Sequence, residues 1–495
     1  MSAGASLGAN LLVYDVGSTY TKASAFSLRD GRLSFLGRGQ APTTLDDVMA
    51  GVGRARSAIE RKGIRVDEDV RCYSTCSAAG GLRMVALGFM PRVTAKAAKE
   101  VAMCAGARVL EVISHEVAPE SRYEILREIN PDIILLAGGT DGGDVDSALE
   151  NAAIIANAGA KKGVVILACN KDAQARAEEI LSGAGLPCMR VANVMPTVHR
   201  LNIKPSREAI HTQFIKQITH AKGLDRLQES LADGTVVPTP GAVLLASELL
   251  ARGTFDVPGE DSVLIVDVGG ATTDIHSAIA SLEDLEDEHR GLVISNEKQF
   301  SYRTVEGNLG MRVSATGIME TVGAKAVLRH MRSTHGADVD AVDDYTKRLE
   351  RHLDTLPQRE MEREMERALA ICSMEVALKR HAGYIAQEYD PVMGTTPGTV
   401  MGRDLRSVRH VIGVGGIFAH SEEGEALDVL QSAFQDPGIS LFPEAPKFYI
   451  DKNYVLYALG ILGKYYPEAV VDYMKRDIIH GKQEGGCDEK HKKDS

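Results

Sequence analysis

An α/β protein made of two related halves is what this 495-residue chain predicts, on three observations. Short apolar runs alternate with helix-length periodic segments, the pattern of a largely parallel sheet covered by helices. A strand ending in Asp-Val-Gly at Asp15 recurs half a chain later at Asp267. Hydrophobic residues are 44% and charged residues 25% of the chain, a balance that supports a large buried core and argues against wholesale disorder. At about 100–200 residues per unit, three or four domain-sized units are expected.

Leu11–Asp15, Lys22–Leu28 and Arg32–Gly37 are short apolar or alternating runs separated by Gly-containing turns, hence an antiparallel meander. A helix is expected over Leu45–Arg61. Further strands are expected at Arg71–Ser77, Leu82–Leu87, Arg108–Ile113, Asp132–Leu136, Val164–Cys169 and Met189–Val194. Helical segments fall between them at Thr94–Ala105, Glu120–Ile129, Val145–Ala158 and Asp172–Leu181. A small-residue helix, Gly241–Ala251, and a turn at Pro258-Gly259 lead into the second Asp-Val-Gly strand, Val263–Asp267. Two charged helices flanking Pro357, Asp343–Leu356 and Arg359–Ala382, suit a helical cap, equally a candidate surface for docking a partner or a solvated lid with none. The expected division is a first lobe over 1–252 with extra α/β elements around 90–220, and a second over 253–480 with its cap at about 310–390. A Gly/Lys/Glu-rich tail over 481–495 is expected to fray.

The formal charge of −12 repels a phosphate backbone, and no basic stripe offsets it, so nucleic acid is not an expected partner. No run approaches the roughly 20 apolar residues of a membrane span. Met1–Gly8 has neither the basic nor the apolar region of a secretory signal, so a cytoplasmic protein is expected. Seven scattered cysteines make no disulfide framework, and Cys72 with Cys76 lacks a second pair to complete a metal set. His115 and His276 read as satisfied strand-end histidines.

Three motifs carry chemistry. In the first, a buried strand ends at Asp15 and turns through Gly17, Ser18 and Thr19 towards Lys22. Glycine allows close backbone approach, successive N–H groups make an anion nest, and the lysine adds a point charge. Alone, it is equally compatible with a plain hairpin turn and a surface lysine. The second repeats the design, with Asp267 followed by Gly269, Gly270, Ala271 and Thr272 before a return strand. Two such hairpins facing each other can clamp a phosphate chain, with Asp15 and Asp267 near a Mg²⁺ held through water. The third, Gly413, Gly415 and Gly416 at the end of a strand, suits packing against a nucleoside or a close helix–strand crossing. A glycine-rich turn over Ala137–Gly143 is favoured as a sharp strand-to-helix turn over a further anion nest.

In order, these motifs resemble the phosphate-1, phosphate-2 and adenosine motifs of the actin/Hsp70/sugar-kinase superfamily. Pro240-Gly-Ala-Val-Leu-Leu-Ala-Ser-Glu and Tyr454-Val-Leu-Tyr-Ala-Leu-Gly-Ile-Leu-Gly resemble its two connecting helices. The resemblance implies a duplicated actin-like (ribonuclease-H-like) ATPase fold, two lobes around a nucleotide cleft. It also implies ATP and Mg²⁺ as cofactors, Asp15 and Asp267 as catalytic and metal residues, and Lys22 with the glycine-turn residues of the three motifs as nucleotide ligands. More narrowly, Asp15-Val-Gly-Ser-Thr-Tyr-Thr-Lys, Leu136-Ala-Gly-Gly-Thr-Asp-Gly-Gly and Val305-Glu-Gly-Asn-Leu-Gly-Met are similar to the MutL/GlmL family. That resemblance implies a chaperone-like ATPase that reactivates an adenosylcobalamin-dependent glutamate (methylaspartate) mutase, with the mutase subunits as partners. The D-x-H-x-x-G pattern of a base-off cobalamin domain is broken, since Ile279 stands where glycine belongs after Asp274 and His276. A small-molecule kinase or hydantoinase-type amidohydrolase, and a filament-forming actin relative, are the alternatives on the same fold.

Overall fold

A computed structural model describes residues 8–480 apart from 18, 45–46, 78–82, 89–107, 160–162, 198–201, 203–204, 207, 211, 214–222, 280–299, 335 and 390–395. Ser18, the expected helix Thr94–Ala105 and the 481–495 tail therefore lie outside the described residues.

The opening meander is β1 (Ala9–Val16), β2 (Tyr20–Arg29) and β3 (Arg32–Pro42), followed by α1 (Val48–Arg61) and β4 (Val66–Cys76). The helix begins at Val48 rather than Leu45 because Asp47 caps it, its side chain accepting the N–H of Met49. A second, wholly parallel sheet is inserted next. It comprises β5 (Arg83–Gly88), β6 (Arg108–Ser114), β7 (Ile133–Leu136), β8 (Val164–Leu167) and β9 (Cys188–Arg190), in the order β6-β5-β7-β8-β9. Helices α2 (Pro119–Ile129), α3 (Asp146–Ala158) and α4 (Lys171–Gly183) connect these strands, as alternating apolar runs and periodic segments require. The expected strand over Met189–Val194 stops at Arg190: Gln174 takes the carbonyl of Val191, and Asn193 turns the chain by accepting the N–H of Met195. After α5 (Leu224–Ser230), β10 (Val236–Pro238) returns to the first sheet beside β4 and runs into α6 (Thr239–Arg252).

The second half repeats the plan. β11 (Ser262–Val268), β12 (Thr273–Ile279) and β13 (Ser301–Glu306) form an antiparallel meander. Helices α7 (Ala315–Val322), α8 (Ala324–His330), α9 (Val339–Arg351) and α10 (Glu360–His381) and a two-stranded ribbon, β14 (Tyr384–Ile385) with β15 (Val400–Met401), follow it. The chain then adds β16 (His410–Gly415), α11 (Gly416–Ala419), α12 (Glu423–Ser432), β17 (Lys447–Ile450), α13 (Leu456–Leu462) and α14 (Pro467–Tyr473). The two five-stranded sheets, β3-β2-β1-β4-β10 and β13-β12-β11-β16-β17, share one topology, three antiparallel strands and then two parallel ones. This is the duplicated ribonuclease-H-like arrangement of the actin-like fold.

The longer charged helix lies inside the fold, while α9 buries one face, with Val342, Tyr345 and Leu349. Helix α10 is buried on most of its circumference, including Glu362, Glu364, Glu366 and Arg367. Its charges are answered internally: Arg348 donates to Glu362 at 2.6 Å, Arg312 to Glu366 at 2.8 Å, and Arg367 to Asp428 at 2.7 Å. A charge run thus became the ion-paired interior of a helical layer, because a buried charge must be paired.

One core cluster joins the halves. Leu11 and Val13 of β1 and Val263 and Ile265 of β11 pack with α6 and α13, the two helices between the sheets. Strand periodicity places Asp15 and Asp267 on the same faces as these apolar residues. Both acids therefore point towards the seam between the lobes.

Candidate functional site

The first turn is closed by the Gly17 N–H bonding the Tyr20 carbonyl at 3.1 Å, and a Cβ at Gly17 would stand 2.6 Å from that oxygen. Asp15, buried at the end of β1, is fully engaged. One carboxylate oxygen accepts from Lys22 Nζ at 2.9 Å, and the other from Thr75 at 3.1 Å and Thr239 at 2.7 Å. Thr239 is the first residue of α6, so the carboxylate ties the first sheet to a connecting helix. Lys22 lies opposite Asp15 in the β1–β2 register and holds its ammonium 4.1 Å from the Tyr454 ring centroid. Burial works against that charge, but Asp15, assisted by Tyr454 and Tyr457, outweighs it and holds the lysine pKa above its usual value. In this arrangement Lys22 is bound to Asp15 and an aromatic face, and the Asp15 carboxylate is held by Lys22, Thr75 and Thr239.

The second turn is built the same way, with the Gly269 N–H on the Thr272 carbonyl at 2.9 Å. Its other carbonyls are taken from behind. Met311 N–H bonds Gly269, the N–H groups of Arg312 and Val313 bond Gly270, and Ser314 donates to Ala271. Gly310 lies flat on Ala271, where any Cβ would overlap its backbone. The Val305–Met311 motif is therefore the buttress of this hairpin. With the carbonyls fixed, the N–H groups of Gly270, Ala271 and Thr272 have no acceptor among the described residues. The Thr272 hydroxyl is turned to Asp274, at 2.7 Å.

Asp267 contrasts with Asp15. Its buried Oδ1 has no hydrogen-bond partner among the described residues. Burial, and then the charge of Asp274 directly across the β11–β12 register, push its carboxyl up to about 7. Asp451 is a buried neighbour that the sequence did not disclose. It caps α13 by accepting the N–H groups of Val455 and Leu456 at 2.6 and 2.8 Å, and burial raises it to about 6. An Asp a few residues before an apolar helix was the available signal. Among the described residues no group of three or more His, Cys, Asp or Glu forms a metal cage.

The two turns meet. The Thr19 methyl lies 3.8 Å from where a Cβ at Gly270 would sit, and the Arg312 stem flanks the same point at 3.7 Å. Thr19 and Gly270–Thr272 thus come together between the lobes, with Asp267 on the adjoining strand. The third motif divides. A Cβ at Gly415 would overlap the Val268 carbonyl, so this glycine lets β16 close on the end of β11, and Gly416 opens the short helix α11. Gly413 faces the core: a Cβ there would press on Ile450, Leu430 and Phe418 at 3.1–3.3 Å, so packing accounts for it.

Elsewhere, the Ala137–Gly143 loop is locked by its own neighbours. Asn170 donates to the carbonyls of Gly143 and Asp144, and Asn193 to Gly139 and Asp141. That is the tight turn expected. His276, expected to be satisfied at a strand end, is instead mid-strand and fully buried, with both ring nitrogens lacking partners among the described residues.

A family model described as MutL protein matches residues 11–478. Protein MutL of Clostridium tetanomorphum is 38% identical over 475 residues, covering 94% of this chain and 99% of that protein. Among solved structures, a glycerol dehydratase reactivase aligns over 92% of this chain and 100% of its own, at 10% identity and a TM-score of 0.34. A nucleotide-free acetone carboxylase aligns over 92% and 70%, at 14% identity and a TM-score of 0.33.

Proposed function

This chain belongs to the MutL protein family, and we propose that it is an ATP-dependent accessory factor that reactivates an adenosylcobalamin-dependent mutase of the glutamate (methylaspartate) type by promoting exchange of damaged cofactor. The observation that carries the nucleotide part is the meeting of Thr19 with Gly270, one turn from each lobe, beside the unpartnered oxygen of Asp267. The open N–H groups of Gly270, Ala271 and Thr272 bind phosphate oxygens, each charge-assisted bond worth about 1.5–3 kcal/mol. Asp267 is the residue that would hold Mg²⁺, through water, since the described residues around it offer no closed ligand set. When bound, the ion neutralises phosphate charge and orients the phosphate oxygens.

Asp15 acts as a brace. Through Lys22, Thr75 and Thr239 it holds the first turn, β4 and helix α6 as one unit. A ligand gripping both turns favours the closed hinge over the open one by its differential affinity, and α6 and α13 carry that change between the lobes. Asp267, with a buried carboxylate oxygen that has no hydrogen-bond partner among the described residues, is suited to accept a proton from an attacking water. The protein works in the cytoplasm in this reading, and no helix among the described residues is long and apolar enough to cross a membrane.

The test mixes the purified protein, Mg–ATP and a glutamate mutase inactivated with damaged cofactor, then adds fresh adenosylcobalamin. Recovery of turnover with the wild type and its loss in Asp267→Asn support the proposal. No recovery, with ATP consumed instead on a small metabolite, assigns the protein to the kinase or amidohydrolase alternative.

A further inference from the structure

Carboxylates crowd the junction of the two turns, since Asp15, Asp267, Asp274 and Asp451 all act on one another or on shared neighbours. A polyphosphate approaching them requires a cation, and Lys22 is already held by Asp15 and Tyr454. One other cationic side chain is built into the second turn itself. Arg312 donates its backbone N–H to the Gly270 carbonyl at 2.8 Å, and its Cβ and Cγ each lie 3.7 Å from the Cβ position of Gly270. The stem is therefore fixed at the meeting point of the two turns. Its guanidinium reaches to helix α10, donating to Glu366 at 2.8 Å and to the Met311 carbonyl at 2.8 Å, and the side chain remains 16% exposed. Glu366 does not depend on it alone, because Tyr345 of α9 donates to the same oxygen at 3.0 Å.

We propose that Arg312 is the phosphate-binding cation of the second turn and that Glu366 competes with the phosphate for it, so that nucleotide occupancy releases a contact to the helical layer of α9 and α10. This rests on the nucleotide reading of the site. The guanidinium fits because its planar fork satisfies phosphate oxygens in pairs, and because only its outer torsions need to turn while the stem stays on Gly270. With the arginine gone, Glu366 keeps the Tyr345 hydroxyl, so the helical layer records whether the site is filled.

The experiment measures the affinity of the full-length protein for Mg–ATP by calorimetric titration, with circular dichroism as the folding control. Arg312→Gln is expected to weaken binding about 10–100-fold, the loss of a charge-assisted bond. Glu366→Gln keeps an acceptor for Tyr345 but removes the competing charge, and is expected to tighten binding about threefold or more. Opposite signs in the two variants are the signature, because a purely structural ion pair would move both in the same direction. If Arg312→Gln does not fold, the double variant Arg312→Gln/Glu366→Gln, which leaves no unpaired buried charge, is expected to show the same weakening. Equal affinities, or weakening in both single variants, would overturn the proposal while leaving the nucleotide site intact. Absence of Mg–ATP binding to the wild type would overturn the nucleotide reading itself, and this proposal with it.

Discussion

Gly460 of α13 lies directly against Ala242 of α6, so closely that a Cβ at Gly460 would overlap the Ala242 carbonyl oxygen. The two helices between the lobes cross at this point, and a backbone oxygen cannot move aside as a side chain can. Gly460→Ala is expected to lower stability by about 1–3 kcal/mol, the range for overpacking a core. Gly463→Ala meets the mobile end of Leu249 at 2.6 Å and is expected to have a smaller effect. Thermal unfolding of both variants checks the order; equal midpoints would show that the crossing tolerates a methyl group.

Lys22→Met leaves the Asp15 carboxylate buried with two hydroxyl donors and no counter-charge. Breaking a buried pair from one side costs about 3–5 kcal/mol. The double variant Asp15→Asn/Lys22→Met is expected to regain most of that loss. A denaturant double-mutant cycle measures the coupling, and additive losses would contradict the brace assigned to this pair.

His276 and His381 are held well below the ordinary histidine value of 6.5, first by burial and then by nearby positive groups. The unfolded chain takes up protons near pH 6.5 that these native side chains refuse. Stability is therefore full above pH 6.5 and falls as the pH drops below it, by up to about 2.7 kcal/mol per unit for the two groups together. His276→Leu, which removes a ring with no hydrogen-bond partner among the described residues, is expected to halve that slope. Urea unfolding between pH 5 and pH 8 supplies the comparison; an unchanged slope would remove His276 from the account.

Gly310→Ala forces the buttress away from Ala271, because the added methyl would overlap its backbone. The second turn would lose the support that fixes its carbonyls and aims its N–H groups outwards. Mg–ATP affinity is expected to fall at least about tenfold, with far-ultraviolet circular dichroism unchanged. Wild-type affinity in this variant would show that the turn holds its shape unaided.

Local pattern carried most of the fold. Two apolar strands ending in Asp-Val-Gly, at Asp15 and Asp267, announced a duplication, and the two sheets prove to share one strand order. Boundaries drifted where a side chain ends or starts an element, as Asp47 does for α1 and Asn193 does after β9. The helices around Pro357 were legible as helices and illegible as surroundings. Their charges repeat as a solvated face would, and only the approach of Arg312, Arg348 and Asp428 shows that those of α10 are buried and paired.

The amino-acid sequence by itself determined the strands, the turns and the presence of a carboxylate at each turn, because these depend on neighbours a few residues apart. Tertiary structure decided what each carboxylate is. Asp15 meets Thr75 and Thr239, far away in the chain, and both its oxygens are bonded; Asp267 faces Asp274 across the hairpin and keeps an oxygen with no hydrogen-bond partner among the described residues. The two motifs look alike in one dimension because strand, acid and glycine turn are local. They differ in three because hydrogen-bond partners and the cost of burying charge are set by whatever packs against them.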